Sequence, residues 1–251
     1  MGIFAVLALA FAPGIFWLWY FYRKDKLEPE PKLLFVRTFF LGMLAALFVV
    51  LLEVPFSGLL LIVIAAPIIE EYAKYFVVRR TIYKNVEFDE PMDGMVYAAA
   101  AALGFASAEN AGYLIDAYLS PQEALVSSEP VSAFGTVWTV FVLRALLSVP
   151  GHVLFSSMWG YALGWAKFKE AERGRRLIRS GLLLAIALHG LFNFLLVIVP
   201  LGALGMVIFV ILAWRTVNRK IAHALAGSPH VFESSGASPI MGKRGKINKK
   251  E

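Results

Sequence analysis

The chain has 251 residues, of which 59% are hydrophobic and 17% charged, and its mean hydropathy is +0.68. A water-soluble domain carries about 25% charged residues, so this composition excludes one and predicts an all-α polytopic membrane protein instead. The net charge of +6 sits mainly in loops and tail and reports topology rather than nucleic-acid binding, while the absence of cysteine removes disulfides, thiolate nucleophiles and Cys-ligated metals.

The first span covers roughly residues 2–22 and ends in Trp17, Trp19, Tyr20, Phe21 and Tyr22, an aromatic belt of the kind that sits at a membrane surface. No basic region precedes its apolar run, which argues against a cleaved signal peptide. A basic loop at 23–32 leads to a second span at about 33–52, and a short turn at Glu53 and Pro55 leads to a third at 56–78. A fourth, about 94–116, opens behind Asp93-Gly94, where Asp93 is expected to act as an N-cap. Its small-residue run Ala98–Ala102 suits close helix packing. Residues 117–133 carry no Lys or Arg, and 134–166 is apolar apart from Arg144, Pro150-Gly151 and His152. A basic loop at 167–179 precedes a span at about 180–199, then Pro200 and Gly202 turn into a last span ending near Trp214. Residues 1–217 form the membrane domain, and 218–251 are expected to be a basic, disordered cytoplasmic tail.

Charge decides the topology. Loop 23–32 holds four Lys or Arg, 79–93 three, 167–179 six and the tail eight. All fall on one side only if 134–166 crosses the membrane once, as a kinked span or a span with an interfacial helix before it. This predicts about seven spans (eight on the alternative reading), with the N-terminus outside and the C-terminus in the cytoplasm.

The third span is the anomaly, because Glu70, Glu71 and Lys74 lie well inside it. A charge at a helix centre costs about 2.5–3.5 kcal/mol on insertion scales, so an acid left over after Lys74 pairs with Glu70 at i,i+4 marks a functional site. Three further groups lie within spans: Glu109 and Asn110, Arg144 with His152, and His189 with Asn193. Counted at 1.5 Å per residue, Glu70 is about 12 Å deep, His189 about 14, His152 about 21 and Glu109 about 22. Polar clusters also serve as interhelical glue, at about 1–2 kcal/mol or less each, but four at similar depth favour convergence on one cavity. A buried carboxylate there suits proton abstraction from water, and imidazole and amide donors suit an oxyanion. Two His with one or two Glu also make an open zinc site, with His152, His189, Glu71 and Glu109 as its ligands. Zinc or no cofactor are the two options. Lys74, pairing with Glu70, is expected to leave Glu71 as the base.

The signatures H-E-x-x-H and G-x-S-G are absent, and no presenilin-type acid pair occurs. The stretches Pro67-Ile-Ile-Glu-Glu-Tyr-Ala-Lys74, Asp93-Gly-Met-Val-Tyr97 and Gly104-Phe-Ala-Ser-Ala-Glu-Asn110 with Tyr113 do follow a known pattern, as do Arg144 with His152 and His189-Gly-Leu-Phe-Asn193. Over roughly residues 15–215 the chain resembles the PrsW family of intramembrane proteases, related to the CAAX-prenyl proteases and the bacteriocin-processing ABI proteins. The resemblance implies an endopeptidase, glutamic or metal-dependent, that cleaves a single-pass membrane protein such as an anti-sigma factor in a prokaryotic plasma membrane. It maps catalytic roles onto Glu70, Glu71, Glu109, His152 and His189; Lys74, Asn110, Arg144 and Asn193 are the supporting residues. A proton-coupled transporter and a non-catalytic scaffold or immunity-type protein are the alternatives that the polar residues leave open.

Overall fold

A computed structural model describes residues 2–120, 133–198 and 203–231. Most of the loop read at 117–133, the Pro200–Gly202 turn and the tail beyond 231 lie outside the described residues. The elements are α1 (Ile3–Tyr22), α2 (Lys32–Glu53), α3 (Ala66–Thr81), α4 (Pro91–Leu119), α5 (Ala133–Leu143), α6 (Val149–Ala166), α7 (Ala171–Val197) and α8 (Ala203–Ala226). A π-helical turn at Leu60–Ala65 runs straight into α3, and another at Arg144–Ser148 joins α5 to α6. Residues 134–166 are therefore one continuous helix of 33 residues, and the described residues form seven helical rods. Four of them, including this one, are long and apolar enough to cross a membrane by themselves. The protein is an all-α polytopic membrane protein.

The helix α4 is the central post. Every residue from Pro91 to Ser107 is buried, and the Ala98–Ala102 run does the packing work expected of it. Lipid tails supply no hydrophobic drive between helices, so close backbone contact at small residues supplies the attraction. A Cβ on Gly42 of α2 would collide with the Ala101 carbonyl, and one on Gly104 of α4 with the Phe39 carbonyl. On the other side of α4, Gly94 meets Gly160 and Gly164 of α6 in the same way. Outward faces such as Leu33, Leu47, Phe48 and Leu51 remain exposed, as a lipid-facing surface requires.

The charged loops meet at one end of the bundle. Lys167 Nζ donates to the Tyr83 carbonyl at 2.9 Å, the Tyr97 hydroxyl donates to Glu30 Oε2 at 2.6 Å, and His230 Nε2 lies 3.1 Å from Asp89 Oδ1. This is the arrangement that a single crossing by 134–166 demands. Asp25, Glu30, Glu90 and Asp93 are buried there without an ion pair to Lys or Arg among the described residues. Burial, followed by the neighbouring Glu90 carboxylate, pushes Asp25 up to about 8. Burial and the Asp93 carboxylate push Glu30 up to about 10.

Two local expectations are revised. Asp93 is not the first cap: the helix begins two residues earlier, and Asp93 Oδ2 reaches back to accept from the amides of Asp89 at 2.7 Å and Glu90 at 2.8 Å. The segment read as tail begins as helix, because α8 continues past residue 217 to Ala226. Val217, Ile221 and Ala224 form a buried stripe on it, a spacing that holds a helix against the bundle.

Candidate active site

Local backbone devices bring α3, α6 and α7 to the site. Pro67 has no amide hydrogen, and the π turn before α3 leaves carbonyls without their usual helical donors. Asn193 Nδ2 of α7 donates to one of them, Ile62 O, at 2.8 Å. Gly190 lets the same helix approach another: a Cβ there would lie 2.6 Å from Val63 O. This clamp seats His189 beside α3. The second π turn has the same construction, with Pro150 in the first turn of α6 behind it, and it carries Arg144 and His152 to α4.

Glu71 is the anchor. It is fully buried; its Oε1 accepts from Lys74 Nζ at 2.8 Å and lies 3.2 Å from His189 Nδ1. Its Oε2 accepts from Ser156 Oγ at 2.7 Å and Trp159 Nε1 at 3.0 Å. Lys74 Nζ also donates to Glu70 Oε2 at 3.2 Å, lies 2.8 Å from His152 Nδ1, and sits over the Phe105 ring. An ammonium only donates, so His152 Nδ1 accepts and its proton sits on Nε2, which is 2.9 Å from Glu109 Oε2. Arg144 pairs with the same Glu109 oxygen at 3.0 Å, covers the Tyr113 ring, and donates from Nε to Asn110 Oδ1 at 3.0 Å. Asn110 Nδ2 completes the chain by donating to the Ala10 carbonyl of α1 at 2.8 Å.

All nine residues singled out in the sequence thus join one connected network with its clamp. Two details differ from expectation. Lys74 lies closer to Glu71 than to Glu70, and Glu71 is enclosed by donors while Glu70 lines open space. A cavity of about 290 Å³ is bounded by Glu70, Glu109, Arg144, His152, His189 and Asn193, with Glu53 at its edge. A second, of about 430 Å³, shares Glu53, Glu70, Glu109 and Tyr113 with the first and opens between α2 and α4. Trp159 and Glu53 are additions. Trp159 lies three residues beyond Ser156 and seven beyond His152, on the face that both define, so its spacing pointed to it. Glu53, read as an ordinary turn residue, gave no such signal.

Glu70, His152 and His189 each offer one ligand atom, all within 4.8 Å of one another. With the His189 Nδ1 proton facing Glu71, its Nε2 lone pair is available. Two imidazoles and a carboxylate are the ligand kinds of a catalytic zinc site, so the set fits such an ion in chemistry and proximity. Glu71 and Glu109, also expected as ligands, lie outside this group: the lone-pair directions of Glu71 are taken by its four partners, and Glu109 sits against Arg144 and His152 Nε2. The Lys74 ammonium stands among the same donors, and an ion bound to Glu70 and His152 would take its place.

Comparison with known proteins agrees with the geometry. Residues 30–216 match the family model described as PrsW family intramembrane metalloprotease. The chain is 32% identical to Protease PrsW of Geobacillus kaustophilus, over 88% of this chain and 93% of the relative. It is 30% identical to Protease PrsW of Bacillus subtilis, over 88% and 96%, and 33% identical to that of Oceanobacillus iheyensis, over 84% and 91%. No solved structure matches. Motif order, the convergence of the polar residues and the coverage of these matches agree: the chain belongs to the PrsW family of intramembrane proteases.

Proposed function

We propose that this protein hydrolyses a peptide bond of a single-pass membrane protein, the substrate class of an anti-sigma factor, in the cavity between Glu70, Glu109, His152 and His189. The observation that carries the reading is the division between the two adjacent glutamates. Glu71 spends both oxygens on holding Lys74, His189, Ser156 and Trp159, whereas Glu70 faces the cavity beside two imidazoles.

In this reading Glu70 faces the attacking water, takes its proton as the oxygen adds to the carbonyl carbon, and returns it to the amine nitrogen as the C–N bond breaks. The His189 Nε2 lone pair accepts from the same water, and the His152 Nε2–H, turned from Glu109 to the substrate, polarises the scissile carbonyl and holds the oxyanion. Glu109, fixed by Arg144, lies beside His152 Nε2 and orients its ring. Lys74 keeps the anchor carboxylate charged in a medium that would otherwise neutralise it. A zinc-type ion, when bound, would be held by Glu70, His152 and His189 and would supply Lewis acidity and a more acidic water; Glu70 then acts as ligand instead of base.

The test uses purified protein in liposomes with a panel of single-pass membrane proteins. Wild type cleaves a panel member, and Glu70→Gln, Glu109→Gln, His152→Ala and His189→Ala each lose at least about 100-fold, the scale of a lost acid–base group. Undiminished cleavage in all four folded variants overturns the reading. Metal content measured with chelation and add-back separates the two chemistries: metal and activity lost and regained together select the metal-dependent one, and full activity after stripping selects the glutamic one.

A further inference from the structure

The catalytic cavity needs a route for its substrate, and the cleft between α2 and α4 has the features of one. The two helices touch at Gly42–Ala101 and Phe39–Gly104. Beyond that crossing lies the cavity of about 430 Å³, walled by Ala46, Val49 and Glu53 on one side and by Ala108, Gly112 and Tyr113 on the other. Its flank Leu47 is 64% exposed, so the cleft opens on the lipid-facing surface. Its floor includes Glu70 and Glu109, so it opens also on the site. Gly112 is the roomiest point, since a Cβ there meets nothing within 4 Å.

The polar lining indicates the occupant. Glu53 Oε1 is buried and lacks a hydrogen-bond partner among the described residues, and Glu53 borders both cavities. A lipid chain in this cleft would leave that oxygen facing hydrocarbon, which penalises an unsatisfied polar group. A regular helix would not help either, because its amides are already bonded internally. An unwound peptide has free N–H groups, and they are what a buried orphan acceptor lacks.

We propose that the α2–α4 cleft seats the substrate's membrane segment in a locally unwound form, small side chains against Gly112 and Ala108 and a backbone N–H on Glu53. The proposal rests on the hydrolysis reading for its substrate, but not for its location. It assigns Glu53 to substrate positioning and predicts selection for Gly, Ala or Ser beside the scissile bond, since a bulky side chain would meet Phe105 and Tyr113 on the way to Glu70.

The chain contains no cysteine, which makes single-cysteine cross-linking clean. Leu47→Cys and Gly112→Cys are placed in a Glu70→Gln background, with Leu183→Cys on the exposed face of α7 as the control. The probe is the panel member that wild type cleaves, carrying one cysteine in its membrane segment, joined by a short bis-maleimide. Yields at positions 47 and 112 are expected to exceed that at 183 at least fivefold, and Gly112→Leu, but not Gly112→Ala, should abolish the cross-link at 47. Equal yields at all three positions, or a preference for α7, overturn the proposal. Glu53→Leu should raise KM about tenfold with kcat little changed, and Glu53→Gln, which keeps an acceptor oxygen, should restore most of it. A KM unchanged in Glu53→Leu removes Glu53 from the proposal's mechanism and overturns that assignment. Undiminished cleavage in Glu70→Gln, Glu109→Gln, His152→Ala and His189→Ala alike, with cross-links still in the cleft, would sink the proposed catalytic site and leave the seat standing; loss of cleavage with cross-links elsewhere does the reverse.

Discussion

Replacing Glu71 by Gln tests the division of labour between the two glutamates most directly. The carboxylate accepts from Lys74 at 2.8 Å, Ser156 at 2.7 Å and Trp159 at 3.0 Å, and lies 3.2 Å from His189 Nδ1. An amide keeps one acceptor oxygen but turns an NH₂ toward a pair of donors, and it withdraws the charge nearest to the buried Lys74. Removing one partner of a buried pair costs about 3–5 kcal/mol. At about 2–4 °C per kcal/mol for a chain of this size, the melting temperature falls by about 6–20 °C. Glu70→Gln changes a group with one 3.2 Å partner at a cavity wall, so its stability cost stays near about 1 kcal/mol while its activity is lost. The assay is fluorescence-monitored unfolding of both variants in one detergent, paired with cleavage of the panel substrate. A Glu71→Gln protein that melts with wild type, beside a Glu70→Gln protein that melts early, would refute the anchor assignment and exchange the two roles.

Three further outcomes follow from other parts of the structure. Arg144→Leu strips the cation from Glu109 and the donor from Asn110; initial rates should fall at least about tenfold, and Arg144→Lys should restore only part, because a point charge cannot serve both residues. Gly104→Leu forces a side chain into the Phe39 backbone and should cost at least about 3 kcal/mol, seen as loss of the monodisperse peak in size exclusion, whereas Gly112→Leu on the same helix leaves that peak intact. Stability should decline with rising pH: Asp25 and Glu30 hold protons in the folded state up to about 8 and about 10, against about 4 when unfolded. Their cost is therefore absent below about pH 4 and grows through the neutral range. Melting temperatures from pH 5 to 9 check this, and the double variant Asp25→Asn, Glu30→Gln should flatten the slope.

Much of this was legible in the chain because membrane burial makes polar residues conspicuous. Glu70, Glu109, His152 and His189 stood out against apolar surroundings, and counting along the helices put them at compatible depths. The finer choice between Glu70 and Glu71 was not legible. Lys74 can reach back to either at i,i+4 or i,i+3, and what decides is α6, whose Ser156 and Trp159 hold Glu71 from the far side. No local pattern carries that information, since it depends on how two helices distant in sequence are rotated against each other. Glu53 is hidden for a similar reason: a residue at a helix end looks like surface until the cavity between α2 and α4 is known. The tail was misjudged at its start because composition averages over the apolar stripe of Val217, Ile221 and Ala224, which is a matter of phase.

The π turns at Leu60–Ala65 and Arg144–Ser148 make the alignment of the catalytic face a matter of counting. A π turn holds a surplus residue within a helix, and each one here leads into a helix of the candidate site, α3 or α6. Deleting a single residue from Leu60–Ala65 would let ordinary α-helical bonding close the turn and would shift the clamp on Ile62 and Val63 by about 100° relative to Glu70 and Glu71. The hydrophobic length would change by only about 1.5 Å, well within what a bilayer tolerates by tilting. Such a protein would still insert and span, yet His189 and the glutamates would no longer share a cavity. Length variation in these two stretches is thus invisible to the membrane and fatal to the chemistry, so the surplus residues work as register pins.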